Sequence, residues 1–216
     1  MTKKIFIDLG THYFGGLYEF ITKLNIDKSW DVICFEPQKN VFVNGFKNNI
    51  VEFVEKFNKF EYYNKAVMDY NGKIMFNYHR GAWSDTNIGF YNDEYNTGSN
   101  CIIENPKRDE GDGGVIFDIH KEEVECIDIE DILKKIADNN KNNDYEIFMK
   151  CDIEGSEFKV LPKLLKSEHI NKFKEIYVEW HERYFLKTDY YKDILKQKDD
   201  IINEITEKNI NHIHHH

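Results

Sequence analysis

Proline is scarce in this chain. Its 216 residues hold three prolines (Pro37, Pro106 and Pro162), and no Pro/Ser-rich stretch marks a linker. No internal repeat is present either, so one domain large enough for a real core is expected over residues 1–211. The four cysteines (Cys34, Cys101, Cys126, Cys151) form no Cys-x-x-Cys pair. Cys34 and Cys151 lie in apolar runs and read as reduced core residues of a cytoplasmic protein, whether of a cell or of a virus's host. Basic charge is also short, with 29 Lys and Arg against 39 Asp and Glu. The net charge of −10 disfavours duplex nucleic acid and anionic membrane as partners. No apolar run approaches a membrane span. The N-terminus turns polar at Asp8, too early for a signal peptide. The last residues, 212–216, read as a His-rich tag remnant or frayed end.

What the chain does contain is an alternation of elements. Apolar runs at Lys4–Leu9, Asp31–Phe35, Phe60–Val67, Val115–Ile119, Val124–Ile127, Glu146–Asp152 and Glu175–Trp180 read as strands. Apolar stripes at helical spacing fall at 17–24, 41–57, 129–136 and 191–205, with Asp128 placed to cap the third. A further helix opens at Ser156, and Pro162 must kink or divide it. Asn71-Gly72 followed by the alternating Lys73–Tyr78 predicts the second arm of a hairpin. Residues 80–114 form a long glycine-rich loop. Strands alternating with helices predict a mainly parallel, doubly wound α/β sheet. Its core should include Ile5, Ile7, Ile33, Phe35, Ile147, Phe148, Ile176 and Val178.

Three strand ends carry chemistry. The first, Asp8-Leu-Gly10-Thr-His-Tyr-Phe-Gly15-Gly16, is a glycine-rich turn into a helix. His12 stands where a dinucleotide-binding Gly-x-Gly-x-x-Gly needs its second glycine. A P-loop spacing exists between Gly10 and Gly15, but Gly16 and Leu17 replace its lysine and hydroxyl. Asp-x-Gly at a first strand end is the remaining pattern, that of S-adenosylmethionine binding, where the acid would meet the ligand's ammonium. The second end, Phe35-Glu36-Pro37, puts an acid where a ribose diol is held. The third is Lys150-Cys-Asp-Ile-Glu-Gly-Ser-Glu157, in which Asp152 and Glu154 at i,i+2 share one face of an extended segment. Glu179 and His181 share a face on the next strand in the same way.

Taken together these segments resemble the FkbM family of S-adenosylmethionine-dependent methyltransferases. The resemblance rests on Ile5-Phe-Ile-Asp-Leu-Gly10, Cys34-Phe-Glu-Pro37, Asn64-Lys-Ala-Val67, Cys126-Ile-Asp-Ile-Glu-Asp-Ile-Leu133 and Phe148-Met-Lys-Cys-Asp-Ile-Glu-Gly-Ser-Glu-Phe158, in that order along most of the chain. It implies a seven-strand, Rossmann-like class I methyltransferase sheet, here with a long loop or hairpin insertion and a shortened C-terminal end. It also implies O-methylation of a sugar, glycan or sugar-bearing small molecule. Asp8, Gly10, Thr11, His12, Glu36 and Ala66 would hold the cofactor. The first loop departs from the family's Asp-x-Gly-Ala-Asn-x-Gly: Thr11-His12 replaces Ala-Asn, and the glycine falls one position late.

Methyl transfer to an alcohol needs a base near the attacking oxygen. Asp152 and His181 are the catalytic candidates, with imidazole the natural base near neutral pH. Asp152 and Glu179 can also bind Mg²⁺, Mn²⁺ or Ca²⁺, which would chelate a sugar diol. Glu154, Trp83, Ser84 and Asp85 are candidates for contacting the acceptor, Trp83 by stacking. Two other readings compete. A nucleotide-dependent oxidoreductase on the same sheet is opposed by His12 in the glycine pattern. A catalytically silent cofactor-binding module is opposed by Asp152, Glu154 and His181.

Overall fold

The first strand, β1 (Lys3–Leu9), is buried along its last five residues. That explains its unbroken apolar run, because a central parallel strand is covered on both faces. Helix α1 (Gly15–Lys23) follows, then β2 (Trp30–Phe35), α2 (Lys39–Lys56) and β3 (Lys59–Tyr63). After β4 (Ala66–Met68), β5 (Gly72–His79) and β6 (Ile119–Asp128) come α3 (Ile129–Asn139), β7 (Tyr145–Cys151), α4 (Glu157–Leu165), β8 (Phe173–Val178), α5 (Tyr191–Glu207) and β9 (Asn211–His214). The computed structural model describes residues 2–79, 119–185 and 188–215.

The main sheet has the order β3-β2-β1-β7-β8-β9, and every pairing in it is parallel. The order reverses beside β1, where β2 lies on one side and β7 on the other. Successive side chains of a strand face opposite ways, and the core divides accordingly. Ile5, Ile7 and Leu9 pack with α3, α4 and α5 in a largely aliphatic layer. Phe6, Val32, Cys34 and Phe148 pack with Phe14, Leu17, Phe20 and Phe53 in a layer rich in aromatic rings. All eight core residues expected from the sequence are buried. The doubly wound α/β sheet is thus present, with six strands among the described residues rather than seven.

Local rules account for the helix ends. The Asp128 carboxylate accepts the Glu130 N–H and caps α3. Pro162 sits inside α4 without dividing it. A proline at that position cannot bond the carbonyl four residues back, and the Gln197 side chain supplies the missing donor to Phe158 O at 2.6 Å.

Two expectations are corrected. Asn71-Gly72 does not close a hairpin: β4 and β5 both pair with β6, in a second sheet of order β4-β6-β5. Its β5·β6 pairing is antiparallel, so the partner of the Lys73–Tyr78 run lies across the long insertion. The C-terminal residues are not a frayed tail from 212. Residues 211–214 extend the main sheet beside β8, and His215 N–H donates to Val178 O at 2.9 Å. An edge strand is covered on one side only, which is why so polar a run can be one.

Candidate active site

Strand register brings the chemistry to one level. Leu9 of β1 stands opposite Phe35 of β2 and Cys151 of β7, and Cys151 stands opposite Val178 of β8. The next residue of each strand is Gly10, Glu36, Asp152 or Glu179. Backbone bonds continue the ladder one step further, from Gly10 N to Phe35 O, Asp152 N to Leu9 O and Glu179 N to Cys151 O. Neighbouring strands lie ~5 Å apart, so these four residues form a row along the carboxyl edge at the topological switch. A cavity of about 380 Å³ opens there. Gly10, Thr11, His12, Glu36 and Ala66 line it, and so do Asp152, Glu154 and Glu179.

The first loop is shaped by its neighbours in the fold. Gly10 has φ +77°, and a Cβ there would lie 1.8 Å from the carbonyl oxygen of Asp152. Glycine is needed because the backbone leaving β7 crosses so close. Asp8 is fully buried and does not line the cavity. Its carboxylate accepts from Thr11 Oγ1 at 2.6 Å and faces Lys150 Nζ at 3.4 Å. The ammonium that Asp8 faces in the fold is Lys150's. Lys150 also donates to Gly10 O at 2.9 Å and lies 3.1 Å from Asp152 Oδ2. Burial alone would lower its pKa, but Asp152 and Asp8 outweigh this and hold it above the usual lysine value.

Glu36 behaves as a buried acceptor. Its Oε1 takes the Gln38 N–H at 2.8 Å and its Oε2 the His12 N–H at 3.0 Å. Burial pushes its pKa up to about 8, against the pull of those two donors.

The β7 and β8 ends build a second cluster. Glu154 and Gly155 both have positive φ, +54° and +101°, which turns the chain sharply before α4. His181, fully buried just after β8, does not line the cavity. Its Nδ1 lies 2.7 Å from Glu157 Oε1, and the same oxygen accepts the Ile153 N–H at 3.1 Å. Its Nε2 faces Glu154 at 3.4 Å, Glu179 at 3.5 Å and Asp152 at 3.8 Å, without a hydrogen bond to any of them. The ring stacks on Tyr184, whose hydroxyl donates to Glu154. Desolvation opposes the charged imidazole, yet Glu157, Glu179 and Glu154 raise its pKa to about 11. Its interaction with His181, more than Arg183 at 3.6 Å, draws Glu179 down to about 2. Burial lifts Glu154 to about 7. His181 is buried behind the cavity wall, out of reach of a substrate in the cavity.

The sequence reading assigned no site role to Lys150 or Glu157. Both are buried charges, and their place in the Lys-x-Asp-x-Glu-Gly-x-Glu run was the available clue: a buried ion requires a partner. Trp83, Ser84 and Asp85 lie outside the described residues.

A cavity at the switch point of a parallel sheet, rimmed by acids from successive strand ends, lies where open α/β sheets of the Rossmann-like kind take their ligands. The chain belongs to the FkbM methyltransferase family: the family model described as Methyltransferase FkbM domain matches residues 8–209, nearly the whole chain. Nothing among curated proteins or solved structures matches it. No helix among the described residues is long and apolar enough to cross a membrane.

Proposed function

We propose that this chain is an S-adenosylmethionine-dependent O-methyltransferase acting on a hydroxyl of a sugar, a glycan or a sugar-bearing small molecule. One observation carries the reading: Glu36, the acid after β2, opens into the same cavity as the carboxylates that end β7 and β8. The cavity, about 380 Å³, is within the ~300–1,000 Å³ range of small-molecule sites. When bound, S-adenosylmethionine supplies an electrophilic sulfonium methyl. Glu36, fixed through both oxygens by backbone N–H groups, has lone pairs left to accept from a ribose diol. Thr11 and His12 border it on the β1 side, and Ala66 is a further wall.

Asp152 is the base in this reading. It lines the cavity, its carboxylate is a quarter exposed, and Lys150 fixes one of its oxygens. It accepts the hydroxyl proton as the acceptor oxygen attacks. His181 and Glu157 hold the neighbouring carboxylates in place, and Glu154 and Glu179 face the acceptor. An oxidoreductase would need close access to the first-loop backbone, where His12 replaces the glycine.

The test is thermal unfolding with S-adenosylhomocysteine and, separately, NAD. At a hundred times its Kd the cofactor product adds ~2.7 kcal/mol, which raises Tm by about 5–10 °C for a chain of this size. Glu36→Ala removes a buried hydrogen-bond partner of the ribose, a loss of ~1–3 kcal/mol when a polar group is left unpaired, so affinity falls by at least about fivefold. Transfer of labelled methyl to a panel of saccharides and nucleotide sugars then identifies the acceptor. A response to NAD and none to S-adenosylhomocysteine would sink the reading.

A further inference from the structure

We propose that Asp152, Glu154 and His181 hold a divalent cation of the Mg²⁺ or Mn²⁺ class, whose open coordination positions face the cavity and take the two oxygens of a vicinal diol. The role in diol recognition rests on the transferase reading above; the binding of the ion does not.

The starting point is a buried atom without a partner. His181 Nε2 is fully enclosed and makes no hydrogen bond. It is aimed at oxygens of Glu154, Glu179 and Asp152 at 3.4, 3.5 and 3.8 Å. Those separations lie beyond the ~2.7–3.2 Å of a well-formed N–H···O bond. They suit ligands around one ion: donors ~2.1 Å from an octahedral Mg²⁺ lie roughly 3–4.2 Å from one another. One donor atom from each of Asp152, Glu154 and His181 falls within 4.8 Å of the others. The opposite edge of the imidazole is already fixed, with Nδ1 2.7 Å from the fully buried Glu157. A carboxylate behind a histidine is the arrangement that orients a metal-binding imidazole and sets its tautomer. Two carboxylates and one imidazole, whose Nε2 proton the entering ion displaces to solvent, with the Glu179 carboxylate beside them, favour a hard ion over a thiophilic one. Asp152, Glu154 and Glu179 line the cavity and His181 lies behind them, so the unfilled positions of such an ion open toward the cavity.

The experiment uses the full chain, stripped with EDTA and dialysed, then titrated with MnCl₂ while the free Mn²⁺ signal is followed by electron paramagnetic resonance. The expected result is one bound Mn²⁺ per chain, displaced by excess Mg²⁺. Asp152→Asn and Glu154→Gln should each weaken binding at least tenfold with an unchanged far-ultraviolet circular dichroism spectrum. Glu154→Gln keeps an acceptor for Tyr184, and neither variant empties the buried His181 position. Absence of stoichiometric binding, or unchanged affinity in either folded variant, overturns the proposal. S-adenosylhomocysteine stabilising the EDTA-treated chain while no Mn²⁺ binds would overturn the ion and leave the transferase reading standing. Mn²⁺ binding without any response to S-adenosylhomocysteine would do the reverse.

Discussion

Gly10→Ala probes the close approach between the chain leaving β1 and the chain leaving β7. The added methyl would lie 1.8 Å from Asp152 O, where contacts below 3.0 Å do not occur, so the β1 and β7 exits must part by more than an ångström. Neither side yields easily, because Asp152 N–H is bonded to Leu9 O at 3.1 Å and Gly10 N–H to Phe35 O at 3.1 Å. An alanine at φ +77° costs ~1–2 kcal/mol on backbone grounds. Steric overpacking adds about 1–3 kcal/mol, and a weakened backbone bond ~0.5–1.5 kcal/mol. The combined loss, roughly 3–6 kcal/mol, is a large share of the ~5–15 kcal/mol that holds a domain together. At ~2–4 °C per kcal/mol for this size, Tm should fall by roughly 10 °C or more. The assay is thermal unfolding followed by circular dichroism, alongside the stabilisation given by S-adenosylhomocysteine. A variant melting within about 2 °C of the wild type, a shift worth only ~1 kcal/mol, would refute the close approach as the reason for glycine here.

Glu36 gives a pH dependence. Its carboxyl is raised from 4.5 to about 8 in the fold, so the native state holds a proton that the unfolded chain releases above pH 4.5. Its contribution to stability is present below that pH and is lost as pH rises towards 8. Glu36→Gln should therefore flatten the decline in stability across this window, as read by denaturant midpoints; a parallel decline in both proteins would count against the buried acid. Gln197→Ala should cost ~1–3 kcal/mol by stranding the Phe158 carbonyl. In a Pro162→Ala background that cost should shrink, because the helix then supplies its own donor, and a full double-mutant cycle measures the difference.

The sheet was legible because β1, β2 and β7 are buried on both faces and so carry unbroken apolar runs. Local signals failed where pairing is distant. Asn71-Gly72 reads as a hairpin turn, but the strand that pairs with β5 lies beyond residue 118. Residues 212–216 read as a tail because an edge strand can be polar, and only pairing along the free edge of β8 makes 211–214 a strand. At the site, strand ends were readable one at a time. Asp152, Glu154 and His181 come together through a positive-φ turn at Glu154 and not an extended segment. Burial was not readable. Asp8 and His181 lie behind the cavity because Lys150 and Glu157, far off or on another element, claim them first.

The pairing of β1 with β7 also bears on how the chain comes to exist. Lys150 and the Gly10 carbonyl it binds are 140 residues apart. On the ribosome β1 can find β2 early, yet its other edge has no partner until β7 emerges. At ~5–20 residues per second that wait is roughly 7–30 s. During it an apolar strand shows an open row of backbone donors and acceptors, the kind of surface that recruits other strands. The same junction that positions the site is thus one at which a newborn chain stands open to pairing with the wrong strand.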